Sequence, residues 1–282
     1  MPKCTWAESG SSRGLNRIAP MGRLPYLKML AATVALTVVI SAVMVPIRWN
    51  GQQGSTAAPK IDTLLDVMII LSSFVFALVM VMLFYALWKF RAKPGDESDG
   101  EPIHGNTRLE VAWTLIPTII VLFGAGYSWV VLDDIEDREP DAITVNVFSQ
   151  QFAWSFGYPS KGNKWSEGEL HVPVDRQVVF KLHALDVIHS FWVPEWRIKK
   201  DNVPGITTTA VVEPDEVGSY QLICTELCGF GHATMRAKVV VEPESEWRRW
   251  VRGLDATVPA PLQETVAGSE ESDPTPVGAG GA

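Results

Sequence analysis

Charged side chains are scarce in this sequence and are absent from three long stretches. Asp, Glu, Lys and Arg make up 20% of the 282 residues, and none of them occurs in 29–47, 67–88 or 111–132. These stretches contain 19, 22 and 22 residues, and about 20 apolar residues are needed to cross the hydrocarbon core of a bilayer. A wholly soluble cytosolic protein is therefore excluded.

Cysteine and histidine are also few, with three and five residues, and the motif Cys-x-x-Cys-His does not occur. A fused c-type cytochrome is excluded because that motif attaches its haem. Tryptophan and phenylalanine are plentiful at 11 each, which excludes global disorder. Residues 133–282 contain 24 acidic and 13 basic side chains, so this half is an acidic body that repels nucleic acid.

Basic residues are concentrated on one side of the predicted membrane segments. They precede the first apolar stretch and follow the second, at Lys3, Arg13, Arg17, Arg23, Lys28, Lys89, Arg91, Lys93 and Arg108. Short loops rich in Lys and Arg stay in the cytoplasm, so the acidic half is predicted on the periplasmic side of a bacterial plasma membrane. The chain is thus expected to be multi-pass, with a transmembrane hairpin over 59–134.

Residues 1–58 contain the N-terminus and the first apolar stretch, which has two interpretations. It is either a retained transmembrane helix after a cytoplasmic N-terminus or a signal peptide. The second interpretation would use Met21 as the start and Thr56-Ala57-Ala58 as one loose cleavage site.

From residue 143 the pattern changes to short, alternating segments rich in β-branched and aromatic residues. Six of them, separated by Pro, Gly and Asp, lie at 143–148, 152–158, 177–183, 206–212, 219–224 and 236–241. Such a series predicts an antiparallel β-sandwich or small barrel over 135–254. A short closing helix is expected at 244–252 and a disordered tail at 255–282. The predicted fold class is a membrane-anchored α plus all-β protein.

Soft metal ligands are concentrated within twelve positions. Cys224, Cys228, His232 and Met235 supply two thiols, an imidazole and a thioether, a set that suits copper or zinc better than magnesium or calcium. A single blue-copper site would use only one cysteine, so the second thiol suggests a second metal ion. His189 is the best candidate for a second imidazole.

A disulfide and other histidine ligands are the alternatives to this metal site. Cys224 and Cys228 could form a disulfide in an oxidising compartment, but a disulfide explains neither His232 nor Met235. The remaining histidines are less suited as ligands. His104 falls in the predicted cytoplasmic loop, while His171 and His183 fall in predicted strand contexts.

At these residues the chain closely resembles subunit II of the haem-copper cytochrome c oxidases. That family has a two-helix anchor and a cupredoxin domain that holds the dinuclear CuA centre. The resemblance covers roughly 62–252. It is carried by a histidine 35 positions before Cys-x-Glu-x-Cys-Gly-x-x-His-x-x-Met, a pattern that His189 and residues 224–235 match without a gap.

The resemblance implies a ligand set for two copper ions. The side chains implied as ligands are those of His189, Cys224, Cys228, His232 and Met235. Glu226 is implied to bind copper through its backbone carbonyl, and its carboxylate to bind a magnesium ion shared with subunit I.

Glu110 can be read in two ways. By itself it is an acid at the cytoplasmic mouth of the third apolar stretch, where a snorkelling side chain is the simpler explanation. The resemblance implies instead that Glu110, three residues before Trp113, receives protons at the K pathway. Asp186, Lys199 and Asp201 also fall on family positions near the docking face or the contact with subunit I.

The aromatic segment after Gln151 departs from the family pattern. The family has Gln-Trp here, and that tryptophan receives electrons from cytochrome c, whereas this chain has Phe152. Either Trp154 takes the role or the donor docks differently. Packing of Trp154 in the sandwich core is the competing explanation.

The resemblance implies that the chain is a subunit of a proton-pumping oxidoreductase and translocase. It would accept electrons from cytochrome c, or from a cytochrome subunit, and pass them to haem in subunit I, which also carries CuB. Other oxidase subunits and membrane lipid are further expected partners. The alternative is a membrane-anchored copper chaperone that uses Cys224 and Cys228, although the strand-rich pattern disfavours its thioredoxin-like scaffold. Quinol oxidase subunit II shares the fold but lacks the copper ligands.

Overall fold

The computed structural model describes residues 23–47, 49, 51–92, 94–95, 105–257 and 262. The basic segment before residue 23, the proposed start at Met21, His104 and, apart from Leu262, the predicted tail beyond residue 257 lie outside the described residues. Leu262 is buried against Phe148 and Trp165, so this position does not fit the expected disorder.

Three long helices carry the charge-free stretches. These are α1 (Arg23–Met44), α2 (Ala58–Lys89) and α3 (Thr107–Glu136), and each is long and apolar enough to cross a membrane. Asn106 caps α3, because its side-chain oxygen accepts hydrogen bonds from the backbone N–H of Arg108 and Leu109. By contacts the chain divides into two units, 1–44 with 70–100, and 45–69 with 101–282.

Ten strands follow α3 and form two five-stranded sheets. In chain order they are β1 (Ile143–Gln150), β2 (Ala153–Tyr158), β3 (Lys164–Glu167), β4 (Glu169–Pro173), β5 (Val178–Ala184), β6 (His189–Val193), β7 (Ile198–Asn202), β8 (Thr208–Val212), β9 (Gly218–Cys224) and β10 (Arg236–Glu242). One sheet has the order β3-β2-β1-β5-β8 and the other β4-β10-β9-β6-β7. The predicted β-sandwich is confirmed, and most of its strand pairs are antiparallel as expected. Two pairs differ from the prediction, because β1 with β5 and β4 with β10 are parallel.

The core of the sandwich consists of side chains that alternate inward along each strand. In β10, Ala237, Val239 and Val241 are buried while Arg236 and Lys238 face solvent, as the period of two requires. The two sheets meet through large aromatic and aliphatic groups.

Phe180 from β5 and Phe191 from β6 illustrate this contact, with their ring centroids 5.1 Å apart. The predicted closing helix is present as α4 (Glu244–Gly253), and its Trp247 is fully buried. Because both ends of β6 are held in this core, the strand is a rigid support for the residue that begins it, His189.

Candidate metal centre

Strand pairing brings His189 to the cysteine-rich segment across 35 positions of sequence. β6 begins at His189 and β9 ends at Cys224, and the two strands are neighbours, with Phe191 opposite Cys224. The chain then returns into β10, and the backbone N–H of Cys224 donates to the carbonyl of Met235. The twelve-residue segment is therefore a closed loop between two adjacent strands, with His189 on the next strand.

The two thiols and His189 form a compact buried group. The sulfur atoms of Cys224 and Cys228 are 3.9 Å apart, and Nδ1 of His189 lies 3.9 Å from the sulfur of Cys224. His189 is completely buried and each cysteine is 3% exposed. The ligand atoms of these three residues all lie within 4.8 Å of one another, which is close enough to bind a common metal ion.

The remaining predicted ligands approach the same sulfurs from the loop. Nδ1 of His232 is 3.6 Å and Sδ of Met235 is 3.7 Å from the sulfur of Cys228, while the carbonyl oxygen of Glu226 is 3.3 Å from the sulfur of Cys224. Met235 is fully buried, whereas the residue Glu226 is exposed. All six predicted ligand residues thus converge on one site.

The chemistry of the site fits a bound soft metal and not a disulfide. The two sulfurs are too far apart for a bond of about 2.05 Å, and both cysteines are free. Thiolate sulfur binds a transition metal at about 2.3 Å, so two sulfurs 3.9 Å apart can reach the same ion. Burial, reinforced by neighbouring Cys224, raises the pKa of Cys228 to about 11. Two thiolates side by side in this environment need a cation to stabilise them.

Asp186 orients the imidazole of His189. Its Oδ1 lies 2.8 Å from Nε2 of His189, so that nitrogen donates to the carboxylate and Nδ1 is left facing the sulfur of Cys224. The backbone N–H groups of Gln151 and Val187 also donate to Asp186, each at 2.7 Å. Burial opposes ionisation, but the bonds from His189, Gln151 and Val187 hold the pKa of Asp186 below its ordinary value.

The turn between β1 and β2 packs against the metal-binding loop, which is the twelve-residue segment 224–235 that carries the candidate ligands. The side-chain amide of Gln151 donates to the carbonyl of Cys228, and the ring of Phe152 lies against Gly229 and Gly231. Gly229 has φ 134, a conformation that favours glycine. These contacts were not predicted from the sequence, although two glycines inside a ligand loop are a signal of close backbone approach.

Trp154 is in the core and not on the surface. It is 1% exposed, and its ring meets the imidazole of His189 edge-on with centroids 6.3 Å apart. The expectation that Trp154 receives electrons from a docked donor does not fit this position, because the side chain has almost no surface to offer. Phe152, which is 39% exposed, lies at the surface beside the loop instead.

Glu110 lies in the first turn of α3, away from the metal centre in sequence and in structure. Its side chain is exposed and its Oε1 accepts a hydrogen bond of 3.2 Å from the backbone N–H of Asn106. The carboxylate therefore helps to cap the helix. A role in proton uptake stays a prediction.

The strand histidines have structural surroundings, as their sequence contexts predicted. Nδ1 of His171 is 2.7 Å from Oε1 of Glu242, and its ring stacks on Trp250 at 3.7 Å. The ring of His183 stacks on Phe148, and burial lowers the pKa of His183 to about 4.

Comparison with known proteins gives the same assignment in both parts of the chain. Residues 46–131 match the family described as cytochrome c oxidase subunit II, transmembrane domain, and residues 164–243 match its periplasmic domain. Cytochrome c oxidase subunit 2 of Alkalihalophilus pseudofirmus is 38% identical over 231 residues, which cover 77% of this chain and 67% of that protein. The chain belongs to the cytochrome c oxidase subunit II family.

Other relatives show the breadth of this family. Cytochrome c oxidase subunit 2 of Synechocystis is 32% identical over 285 residues, covering 82% of this chain and 83% of the relative. Quinol oxidase subunit 2 of Bacillus spizizenii is 30% identical over 200 residues, covering 68% and 61%. As a member of the cytochrome c oxidase subunit II family, the chain is a subunit of a haem-copper oxidase and thus of an oxidoreductase. Its β-sandwich corresponds to the family's periplasmic domain.

Proposed function

We propose that this chain accepts electrons from cytochrome c at a dinuclear copper centre and passes them to haem in subunit I of a proton-pumping oxidase. The bacterial plasma membrane would hold its helices, with the β-sandwich on the periplasmic face. The observation that carries the proposal is the buried pair of free thiols 3.9 Å apart, surrounded by two imidazoles and a thioether. A quinol oxidase subunit would have no use for this ligand set.

The protein's contribution is a site that is already shaped for its metal. His189, Cys224, Cys228, His232 and Met235 would hold the copper ions, which would supply one-electron redox chemistry at this site. Strands β6 and β9 hold His189 and Cys224 in fixed register, and Asp186 fixes the ring orientation of His189. Burial of both thiols excludes water from the sulfur atoms. Ligands that do not move when an electron arrives keep the barrier to electron transfer low.

Partner recognition and proton uptake would depend on other parts of the chain. The acidic outer half would attract a basic cytochrome, with an attraction that salt weakens. Glu226 is exposed, and its carboxylate would bind a magnesium ion at the contact with subunit I. Glu110, on the opposite end of α3 from the β-sandwich, would receive protons for subunit I.

Metal content and electron paramagnetic resonance of the full chain test the copper proposal. The chain would be expressed without its partners, purified in detergent and reconstituted with copper under reducing conditions. We expect two coppers per chain and hyperfine structure from one electron shared by two nuclei. Cys228→Ser is the matched control, because it removes one sulfur with little change in volume and should abolish the shared signal. One copper or none, with Cys224 joined to Cys228, would refute the proposal and favour the chaperone.

A further inference from the structure

Arg197 occupies a backbone conformation that would suit glycine better. It follows the short 3₁₀ turn Pro194–Trp196 after β6, and its φ is 60. Non-glycine residues rarely adopt this left-handed region, so an arginine here indicates that its side chain has a specific use. Its backbone N–H donates to the carbonyl of Pro194. The residue is thus fixed at the end of the strand that His189 begins.

The side chain of Arg197 is 3% exposed, and its guanidinium donates directed hydrogen bonds to α2 and to the loop before it. Nε and Nη2 donate to the two carboxylate oxygens of Asp62, in the second turn of α2, at 2.8 and 2.9 Å. Nη1 donates to the carbonyls of Gln52 and Pro194 at 2.9 and 2.8 Å, and Nη2 donates to that of Gly51 at 3.3 Å. A paired, charge-assisted contact of this kind fixes both distance and orientation.

The loop before α2 reinforces the same contact. The backbone N–H of Gly54 donates to the carbonyl of Glu195 at 2.9 Å, and the hydroxyl of the fully buried Ser55 donates to the carbonyl of Trp196 at 3.0 Å. Both acceptors lie in the turn that precedes Arg197. Residues 51–62 therefore meet the β-sandwich at the segment directly after β6, and also after β8, where the backbone N–H of Thr56 donates to the carbonyl of Glu213 at 3.0 Å.

This contact gives the metal-binding domain a second attachment to the membrane helices. The covalent attachment is the linker 137–142 between α3 and β1, and Gln177 bonds this linker at Asp137 and Glu139. Both attachments lie at the end of α3, so a contact with α2 restrains rotation of the domain about that point. We infer that Arg197 and Asp62 form a positioning clamp that holds the metal centre at a fixed place above the outer end of α2. The inference rests on the proposed function, because a fixed place matters for an electron that must next reach subunit I.

The test compares internal electron transfer in the assembled oxidase with the state of its copper centre. Arg197→Gly is the main variant, because glycine adopts φ 60 without strain and the side chain is removed without disturbing the backbone. We expect the copper resonance signal of this variant to be unchanged. A light-triggered electron pulse into the copper centre should then reduce the haem at a rate about 10- to 100-fold lower than in the unmodified oxidase. Asp62→Asn should act in the same direction.

A neighbouring ion pair supplies the control. Lys60 and Asp134 are 2.6 Å apart near the outer ends of α2 and α3, but their side chains are 46% and 55% exposed. Lys60→Met should leave the transfer rate unchanged, because exposed pairs contribute little.

Two results would overturn the clamp. One is a normal transfer rate in Arg197→Gly, and the other is an altered copper signal, which would show a local structural role. If Arg197→Gly does not assemble, Asp62→Asn, which preserves side-chain volume, decides by the same two measurements. An unmodified oxidase without a shared copper signal would instead refute the proposed function.

Discussion

The metal-binding loop leaves no space for a side chain at Gly231, and this makes Gly231→Ala a sharp test of how the loop is held. A methyl group at this position would lie 2.6 Å from Cγ and Cδ2 of Phe152. Gly231 has φ −89, so alanine brings no backbone strain and the effect is purely steric. The perturbed loop is the one that carries Cys228 and His232.

The free-energy cost of Gly231→Ala depends on which atoms of Phe152 clash with the new methyl group. Cγ is the ring atom nearest the backbone of Phe152, so rotation of the ring about its own axis does not move it away, and the loop or the β1–β2 turn must shift. Overpacking of this kind costs about 1–3 kcal/mol. If the ligand geometry absorbs that cost, copper should bind roughly 5- to 150-fold more weakly, because every 1.4 kcal/mol is a factor of ten.

Competition with a copper chelator, followed through the copper absorbance of the full chain, measures this change. Gly253→Ala is the matched control, since a methyl there would meet no atom of the described residues within 4 Å. Adding Phe152→Ala to Gly231→Ala removes the clashing ring and should restore binding. Unchanged affinity in the single variant, or no recovery in the double variant, would refute the packing argument.

Three further outcomes are expected. Glu110→Gln keeps the side-chain oxygen that caps α3 but removes the acid, so turnover of the assembled oxidase should fall while copper reduction stays fast; normal turnover would contradict proton uptake here. Asp186→Asn keeps an acceptor for the imidazole but removes a charge, so reduction by cytochrome c should slow most at low salt, and equal slowing at all ionic strengths would count against docking. Because residues 51–57 contact the β-sandwich, the mature chain should begin at or before Gly51, and an intact mass that starts after Ala58 would show otherwise.

The sequence identified the elements that have a strong internal pattern. Charge-free stretches located the three long apolar helices, although α2 begins at Ala58, nine residues before the stretch that predicted it. Six strands were found from their alternation. Four were missed, and three of these, β3, β4 and β7, lie at sheet edges, where polar side chains are tolerated on both faces. β7, with Lys199, Lys200 and Asp201 in five residues, carries almost no strand signal.

The convergence of the candidate ligands was predictable for a different reason. The loop ligands lie within twelve residues, so their types and spacing could be read directly, and only His189 required a long-range pairing. The supporting contacts could not be read in this way. The bond from Gln151 to Cys228 joins positions 77 apart, and whether Trp154 faces the core or the surface depends on the packing of both sheets.

Two different sets of contacts affect the affinity for the metal and the position of the metal-binding domain. Gln151 and Phe152 act on the loop of Cys228, so changes there should alter copper binding first and electron transfer only as a consequence. Arg197 lies beyond the far end of β6, eight residues after His189, and its side chain is directed at α2, so its loss should leave the ligands in place and move the domain as a whole. A variant that weakens copper binding without changing the transfer rate of the bound copper, and a second variant that does the reverse, would establish that the two tasks are carried by different residues.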